Sequence, residues 1–260
     1  MRGDSKNRII FSLCLMLVVA MLCLQYLVSG VVAGPKSKTT LIVGDSIAYG
    51  MAQGKRAGTG VDDAGKVYWV TEGGLTPDFL HPNFKVKLGK RMPRKIVNTL
   101  TQNRTFDLLK EVKKNKIEDI VVILGANAPG KASAKTIISC LKKLAKKSGC
   151  RIYFVNTLPY VNKGKSKNRA PAMEYYNRLT KEGFKDSDVV YIDAYNLTKS
   201  VKNYYIYTWD GIHYSKKVYG AVYKGILDTV KKEKDKTLKL AKKKAKKSKN
   251  IKDNVNITRN

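Results

Sequence analysis

The sequence predicts an α/β fold in which a parallel sheet of about five strands is covered by helices on both faces. Strand-like apolar segments alternate with amphipathic segments along most of the chain. Residues 119–125 (DIVVILG) form a continuous apolar run, which is typical of a central parallel strand buried on both faces. Right-handed crossovers then bring the carboxyl ends of all the strands to one edge of the sheet.

The first half of the chain contributes two predicted strands and a long irregular segment. Residues 39–45 and 67–71 are rich in β-branched and aromatic side chains, and the runs stop at Gly44 and Gly73. A helix start and a glycine-rich loop separate the two strands. Residues 77–103 combine prolines, basic residues and asparagines with few apolar positions, so we predict a surface excursion beside the strand ends.

The second half alternates helices and strands more regularly. Apolar residues with helical spacing predict helices, and β-branched or aromatic runs predict strands. The helices are expected at 106–112, 133–147, 170–184 and 215–230, and the strands at 119–125, 151–156 and 189–193.

Residues 1–35 are predicted to be a targeting segment and not part of the fold. Basic residues precede an apolar run from 9 to 28, which is long for a signal peptide and sufficient to span a bilayer. Two alternatives remain open: a membrane anchor through residues 9–28, or a signal peptide cleaved near Ala33. Either one places a domain at 36–230 outside the cytoplasm.

The cysteines and the net charge limit which metal sites and binding partners are compatible with the chain. Cys140 and Cys150 are either a disulfide or two buried thiols, and four cysteines with two histidines give no zinc pattern. The formal net charge is +31, and the tail at 231–260 holds 13 basic and 3 acidic residues. Outside a membrane the available polyanions are acidic cell-wall polymers and anionic lipid headgroups, so we expect no nucleic acid partner. A solvated lysine-rich tail without a specific partner, helical or irregular, is the plainer alternative.

Three residues suit nucleophilic catalysis. Ser46 follows the first strand, at the sheet edge where open α/β folds bind ligands. His213 lies three residues after Asp210, a spacing that lets one loop present an imidazole and the carboxylate that orients it. His81, the other histidine, lies in the excursion. The plainer alternative for Ser46 and Asp210 is helix capping.

Acyl transfer also needs hydrogen-bond donors for the oxyanion. The candidates are the N–H groups of Ser46 and Gly74 and the side-chain amide of Asn127, because Gly74 and Asn127 each follow a predicted strand. A role in turn geometry alone is the alternative for Gly74 and Asn127.

Four short motifs together resemble the SGNH (GDSL-like) hydrolases, in the family's order, over residues 39–230. They are GDS at 44–46, GGLT at 73–76, GAN at 125–127 and DGIH at 210–213. Ala128 stands where the family often has an aspartate. Gly74 is chosen over Gly73 because Leu75 and Thr76 follow it as the family pattern suggests.

The resemblance implies a flavodoxin-like three-layer α/β/α sandwich without a metal or organic cofactor. It implies Ser46 as the nucleophile, His213 as the base and Asp210 as the partner of the base. It also implies that Ser46, Gly74 and Asn127 form the oxyanion hole.

Three functions are compatible with this sequence. The favoured one is an exported serine esterase that removes small acyl groups, O-acetyl in the first place, from cell-wall or other carbohydrate. An extracytoplasmic O-acyltransferase would use the same residues, with a sugar hydroxyl in place of water. The third is a non-catalytic module that binds cell-wall polyanions.

Overall fold

The computed structural model describes residues 39–56, 66–80 and 83–257. The predicted targeting segment at 1–35, most of the glycine-rich loop and His81 lie outside these residues. Among the described helices, none combines the length and the hydropathy that a bilayer span requires.

Strands and helices alternate along the chain. The strands are β1 (Thr39–Gly44), β2 (Lys66–Glu72), β3 (Lys85–Lys87), β4 (Ile96–Asn98), β5 (Thr105–Asp107), β6 (Asp119–Ile123), β7 (Arg151–Val155) and β8 (Val189–Ile192). The helices are α1 (Ser46–Arg56), α2 (Leu108–Lys114), α3 (Lys131–Ser148), α4 (Ala170–Phe184), α5 (Ala194–Lys199) and α6 (Lys216–Ile257).

The main sheet has the strand order β4–β2–β1–β6–β7–β8. The five predicted strands, β1, β2, β6, β7 and β8, pair in parallel. The chain leaves β1 toward β2 and later returns to the other side of β1 with β6. This change of direction opens a crevice at the carboxyl ends of β1 and β6, where ligands bind in open α/β sheets.

Helices cover both faces of the sheet, because successive strand residues point to opposite sides. Leu41 and Val43 belong to the core beneath α2, α3 and α4, whereas Ile42 between them belongs to the core beneath α1 and α6. The same alternation along β6 and β7 continues both cores across the sheet. The predicted three-layer α/β/α sandwich is therefore confirmed.

The segment at 77–103 is more than a surface excursion, which corrects the prediction. It carries β4, a sixth strand that pairs antiparallel with β2 and closes that edge of the sheet. Several of its isolated apolar side chains are buried: Leu80, Phe84, Val86, Leu88, Val97 and Leu100. The sequence concealed this because these residues are too widely spaced to show a helical or strand period.

The buried carboxylate of Glu72, at the end of β2, fixes this segment in place. It accepts hydrogen bonds from the N–H groups of Gly89 (2.8 Å), Arg91 (2.9 Å) and Met92 (2.9 Å). Buried polar groups are stable only when they are paired in this way. Glu72 therefore holds the loop at 89–92 over the end of β2, next to Gly73 and Gly74.

Three local differences from the predictions concern element ends and the cysteines. Residues 105–107 form a short strand, and α2 begins only at Leu108 because Asp107 caps it by accepting from the N–H of Lys110. The thiols of Cys140 and Cys150 are free, so the disulfide alternative is wrong.

The last helix continues past residue 230, where the sequence placed the end of the domain. It runs without a break to Ile257, so the described part of the lysine-rich tail is helical. The first turn beyond residue 230 still packs against the sheet, because the nearly buried Lys234 pairs with Asp119 at 2.7 Å. Beyond Lys234 the described side chains are largely exposed.

Candidate active site

Ser46 is the first residue of α1 and stands at the carboxyl end of β1, in the crevice beside β6. The N–H of Asp45 donates to the carbonyl of Ile123 (3.0 Å), which joins the turn to the end of β6. Gly44 permits this close approach, since a Cβ there would lie 2.5 Å from the Ile123 oxygen. The half-buried Ser46 hydroxyl therefore has a fixed position at a helix N-terminus, which favours negative charge.

His213 meets Ser46 across 167 positions of sequence, and Asp210 contacts His213 from the same loop. The His213 Nε2 lies 2.8 Å from Ser46 Oγ, and His213 Nδ1 lies 2.7 Å from Asp210 Oδ2. Both side chains are partly buried. The three groups thus form a continuous hydrogen-bonded chain of hydroxyl, imidazole and carboxylate, with distances suited to proton transfer.

The two oxygens of Asp210 have separate tasks. Oδ1 accepts from the N–H groups of Ile212 (3.0 Å) and His213 (2.8 Å), which shapes the turn, while Oδ2 faces the imidazole. Desolvation by itself would raise the pKa of Asp210, but the hydrogen bonds from His213 and Ile212 outweigh it and lower the pKa. Asp210 therefore stays ionised, as a group that orients and stabilises an imidazolium must.

Asp45, the residue before Ser46, is buried. Its Oδ1 accepts from the N–H of Ile47 (2.9 Å) and its Oδ2 from the N–H of Ala126 (3.3 Å). Burial raises the pKa of Asp45 to about 7, because the backbone N–H groups around it offset only part of the lost hydration. The sequence treated Asp45 as part of a motif only; its contacts tie the turn before Ser46 to the loop that carries Asn127.

Two hydrogen bonds bring the three predicted oxyanion positions onto neighbouring loops. Asp45 joins the Ser46 turn to Ala126, and the next residue, Asn127, donates its side-chain amide to the carbonyl of Leu75 (2.7 Å). One of the two amide hydrogens of Asn127 is thereby used, and the amide has a second hydrogen that a ligand could accept. Ser46, Gly74 and Asn127 are linked through one continuous set of contacts.

Gly73 and Gly74 differ in the partners of their N–H groups. The N–H of Gly73 donates to the carbonyl of Lys95 (2.9 Å), whereas the N–H of Gly74 has no partner among the residues described. Gly74 has φ +80°, a conformation that favours glycine. Its carbonyl accepts from the guanidinium of Arg91 (3.2 Å), so the excursion reaches the candidate oxyanion site.

Trp209 is the residue beside the site that the sequence did not single out. Its indole stacks on the His213 imidazole, with ring centroids 5.6 Å apart and planes 11° from parallel. The stacking depends on the loop conformation and could not be predicted. The position of Trp209 directly before Asp210 did indicate that its side chain would lie close to the site.

No metal centre appears in the part of the chain that the structure describes, since no three potential ligands from histidine, cysteine, aspartate and glutamate cluster there.

A family model of the GDSL-like lipases and acylhydrolases matches residues 41–226, which include all four motifs. The chain belongs to this family. It is accordingly a serine ester hydrolase of the SGNH type, and the sheet order and helical layers are those of an SGNH fold. A search of curated protein sequences finds no match.

Solved structures support the SGNH fold. A Slackia heliotrinireducens protein assigned to the SGNH hydrolases has a TM-score of 0.54 at 16% identity, covering 75% of this chain and 100% of its own. A lipase/acylhydrolase from Enterococcus faecalis has a TM-score of 0.52 at 16% identity, with 75% and 96% covered. An acetyl xylan esterase has a TM-score of 0.50 at 15% identity, with 74% and 99% covered. At these identities the likeness concerns the fold.

Proposed function

We propose that the protein is an exported esterase that hydrolyses small acyl esters, O-acetyl esters of carbohydrate in particular, through an acyl-enzyme on Ser46. The observation that carries the proposal is the unbroken chain from Ser46 Oγ through His213 to Asp210, with contacts of 2.8 and 2.7 Å. A serine hydroxyl is a weak nucleophile unless an adjacent base removes its proton.

The reaction begins when Ser46 Oγ attacks the ester carbonyl and His213 Nε2 takes the hydroxyl proton. Asp210 stabilises the imidazolium that forms. The negative oxygen of the tetrahedral intermediate accepts hydrogen bonds from the N–H of Ser46, the N–H of Gly74 and the amide of Asn127. Collapse breaks the ester C–O bond, and His213 returns its proton to the leaving alcohol.

Water then completes the cycle by the same route. His213 takes a proton from the water as its oxygen attacks the acyl carbon, and the acid leaves as the Ser46 oxygen recovers the proton. A sugar hydroxyl in place of water would give an acyltransferase with the same residues. Product analysis with an acyl donor, with and without a glycan acceptor, distinguishes released acid from a new ester.

Two guanidinium groups beside the proposed oxyanion donors favour a small acyl group. Arg91 contacts the carbonyl of Gly74, and Arg169 lies 3.5 Å from the carbonyl of Asn127. Two guanidinium groups at this position disfavour a long apolar acyl chain, because such a chain would remove their hydration without replacing it.

The location and the polymer partner follow from the apolar N-terminal run and from the charge of the chain. The apolar run at 9–28 and the charge of +31 support an extracytoplasmic enzyme, anchored or secreted, that works on or near acidic polymers. The described tail adds an exposed basic helix to this argument.

The proposed mechanism is tested with p-nitrophenyl acetate. Ser46→Ala and His213→Ala should each lower kcat by roughly 10⁴- to 10⁶-fold, to what binding and the oxyanion hole sustain alone. Ser200→Ala, an exposed serine at the end of α5, is the matched control and should retain full activity. Turnover retained by the folded Ser46→Ala variant would contradict the proposed nucleophile.

A further inference from the structure

Trp209 is a large aromatic side chain left open to solvent beside the catalytic imidazole. It is 64% exposed, whereas Trp69, the other tryptophan of the chain, is 5% exposed. Burial of an aromatic side chain of this size is normally favourable, so an exposed indole next to a reactive group indicates a surface that meets a ligand.

The loop that carries Trp209 is held on both sides. The buried Thr208 forms a β-bridge with Tyr214, and its hydroxyl accepts from the N–H of Gly211 (2.9 Å). The carbonyl of Thr208 accepts from the ammonium of Lys163 (3.3 Å). Because its neighbours are fixed, Trp209 presents its ring in a set position, which reduces the entropy lost when a ligand binds.

The proposed reaction determines which portion of the ester, acyl or alcohol, lies next to the Trp209 indole. His213 Nε2 must come within about 2.6–3.2 Å of the leaving oxygen in order to protonate it. The alcohol portion of the ester therefore lies on the His213 side of the site, and the acyl portion on the side of Gly74 and Asn127. Trp209 stacks on His213, so it faces the alcohol portion.

We propose that Trp209 is the platform on which a sugar ring of the alcohol portion stacks, and that it determines the preference for esters of sugar hydroxyls. This inference rests on the proposed function for the placement of the ester. A pyranose has an apolar C–H face that fits an indole, while its hydroxyls need polar neighbours at the rim. Lys163, whose ammonium donates to the carbonyl of Thr208, and Lys217, whose ammonium lies 2.8 Å from the Tyr207 hydroxyl, supply cationic donors beside this loop.

A lipid surface is the competing occupant, because Tyr205 and Ile206 on the same segment are also exposed. The sugar is favoured for two reasons. The indole covers the His213 imidazole with one face and is 64% exposed, which leaves a flat open face next to the imidazole, and the ammonium groups of Lys163 and Lys217 contact Thr208 and Tyr207 just before it.

Fluorescence tests the platform without turnover. In the Ser46→Ala variant, acrylamide should quench mainly Trp209, because Trp69 is buried. O-acetylated xylo-oligosaccharides should reduce this quenching at least twofold, and the same titration in Ser46→Ala/Trp209→Phe should show no protection. Quenching unchanged by the saccharide, or protection only by phosphatidylglycerol vesicles, would overturn the proposal.

Kinetics separate this inference from the proposed function. The ratio of kcat/KM for acetylated xylo-oligosaccharide to kcat/KM for ethyl acetate, which has no ring, should fall about tenfold in Trp209→Ala. Tyr175→Ala, an exposed aromatic on α4, is the control and should keep the wild-type ratio. An unchanged ratio in an active Trp209→Ala enzyme overturns the platform and leaves the esterase intact. If the wild type hydrolyses neither ester, the proposed function fails, and the quenching experiment decides the platform alone.

Discussion

Two buried aspartates lie at opposite edges of the same sheet, and their surroundings differ. Asp119 begins β6 at the amino edge, where the Nε of Arg151 (2.9 Å) and the ammonium of Lys234 (2.7 Å) pair with it. The hydroxyl of Tyr153 adds a hydrogen bond at 3.3 Å. Two cations from separate elements therefore neutralise this carboxylate, and Lys234 ties the last helix to the sheet.

Asp45 follows β1 at the carboxyl edge and has no cation within ion-pairing distance among the described residues. The backbone N–H groups of Ile47 and Ala126 hold it instead. Such dipoles compensate a buried charge less completely than cations do, and the pKa of Asp45 rises to about 7. The amino edge thus uses paired charge to fix a helix, whereas the carboxyl edge uses one carboxylate to align the loops around Ser46.

The largest expected effect is a loss of activity at the carboxyl edge, when Asp210 is changed. Asp210→Asn keeps an oxygen for the N–H groups of Ile212 and His213 but turns an amide toward His213 Nδ1, which favours the wrong tautomer. We expect kcat on p-nitrophenyl acetate to fall by about 10³- to 10⁴-fold with little change in Tm. Asp228→Asn, exposed on α6, should change neither. Equal activity of the two variants would remove Asp210 from the mechanism.

A change at the amino edge should act on stability and not on chemistry. Lys234→Met removes one of the two cations from buried Asp119, which should lower the free energy of unfolding by about 3 kcal/mol. Lys236→Met removes an exposed ammonium on the same helix that pairs with the half-buried Glu233, and it should cost less than about 1 kcal/mol. Urea unfolding measures both, and kcat should remain near the wild-type value. A loss of kcat in folded Lys234→Met would mean that the two edges are coupled.

The pH dependence of stability should report the protonation of Asp45 at the carboxyl edge. The pKa of Asp45 is raised from 3.8 in the unfolded chain to about 7 in the fold, so the native state binds the proton more tightly between these values. Its contribution therefore favours folding at low pH and is lost as the pH rises toward 7, by roughly 2 kcal/mol between pH 5 and pH 7. In Asp45→Asn this part of the slope should vanish from urea unfolding measured across that range. An identical slope in both proteins would show that Asp45 does not titrate there.

The smallest effect on activity is expected from shortening the tail. A chain that ends at Lys243 keeps Lys234 and should retain stability and ester hydrolysis, while adsorption to an acidic polymer should weaken. A chain that ends at Val230 loses Lys234 as well and should unfold at lower urea. Adsorption unchanged in both chains would exclude a binding role for the tail.

The sequence predicted the elements whose signals are local. Helix α4 has the predicted bounds, and β6 is the buried central strand, because continuous or periodic apolar runs decide both. The contact of Ser46 with His213 was expected from the motifs and from the rule that parallel strand ends share one edge. Helix α6 exceeded its predicted end because lysine and alanine are good helix formers and Lys234 is anchored by Asp119.

The remaining features depend on distant partners. The three residues of β4 carry too little pattern to predict a strand, and they form one because the edge of β2 and the carboxylate of Glu72 hold the segment. The burial of Asp45 and the stacking of Trp209 on His213 likewise require loops that meet only in the fold. Sequence patterns report which residues face a core, but they do not report which polar groups will meet.

The central claim is that Ser46 is an activated nucleophile, and covalent labelling tests it most directly. The protein is incubated with a small alkyl phosphonate that has a p-nitrophenol leaving group, and the adduct is mapped by peptide mass spectrometry. We predict one phosphonyl group, on Ser46, and its near absence in His213→Ala. Wild-type protein that remains unlabelled, or that carries the adduct on another serine, would contradict the account.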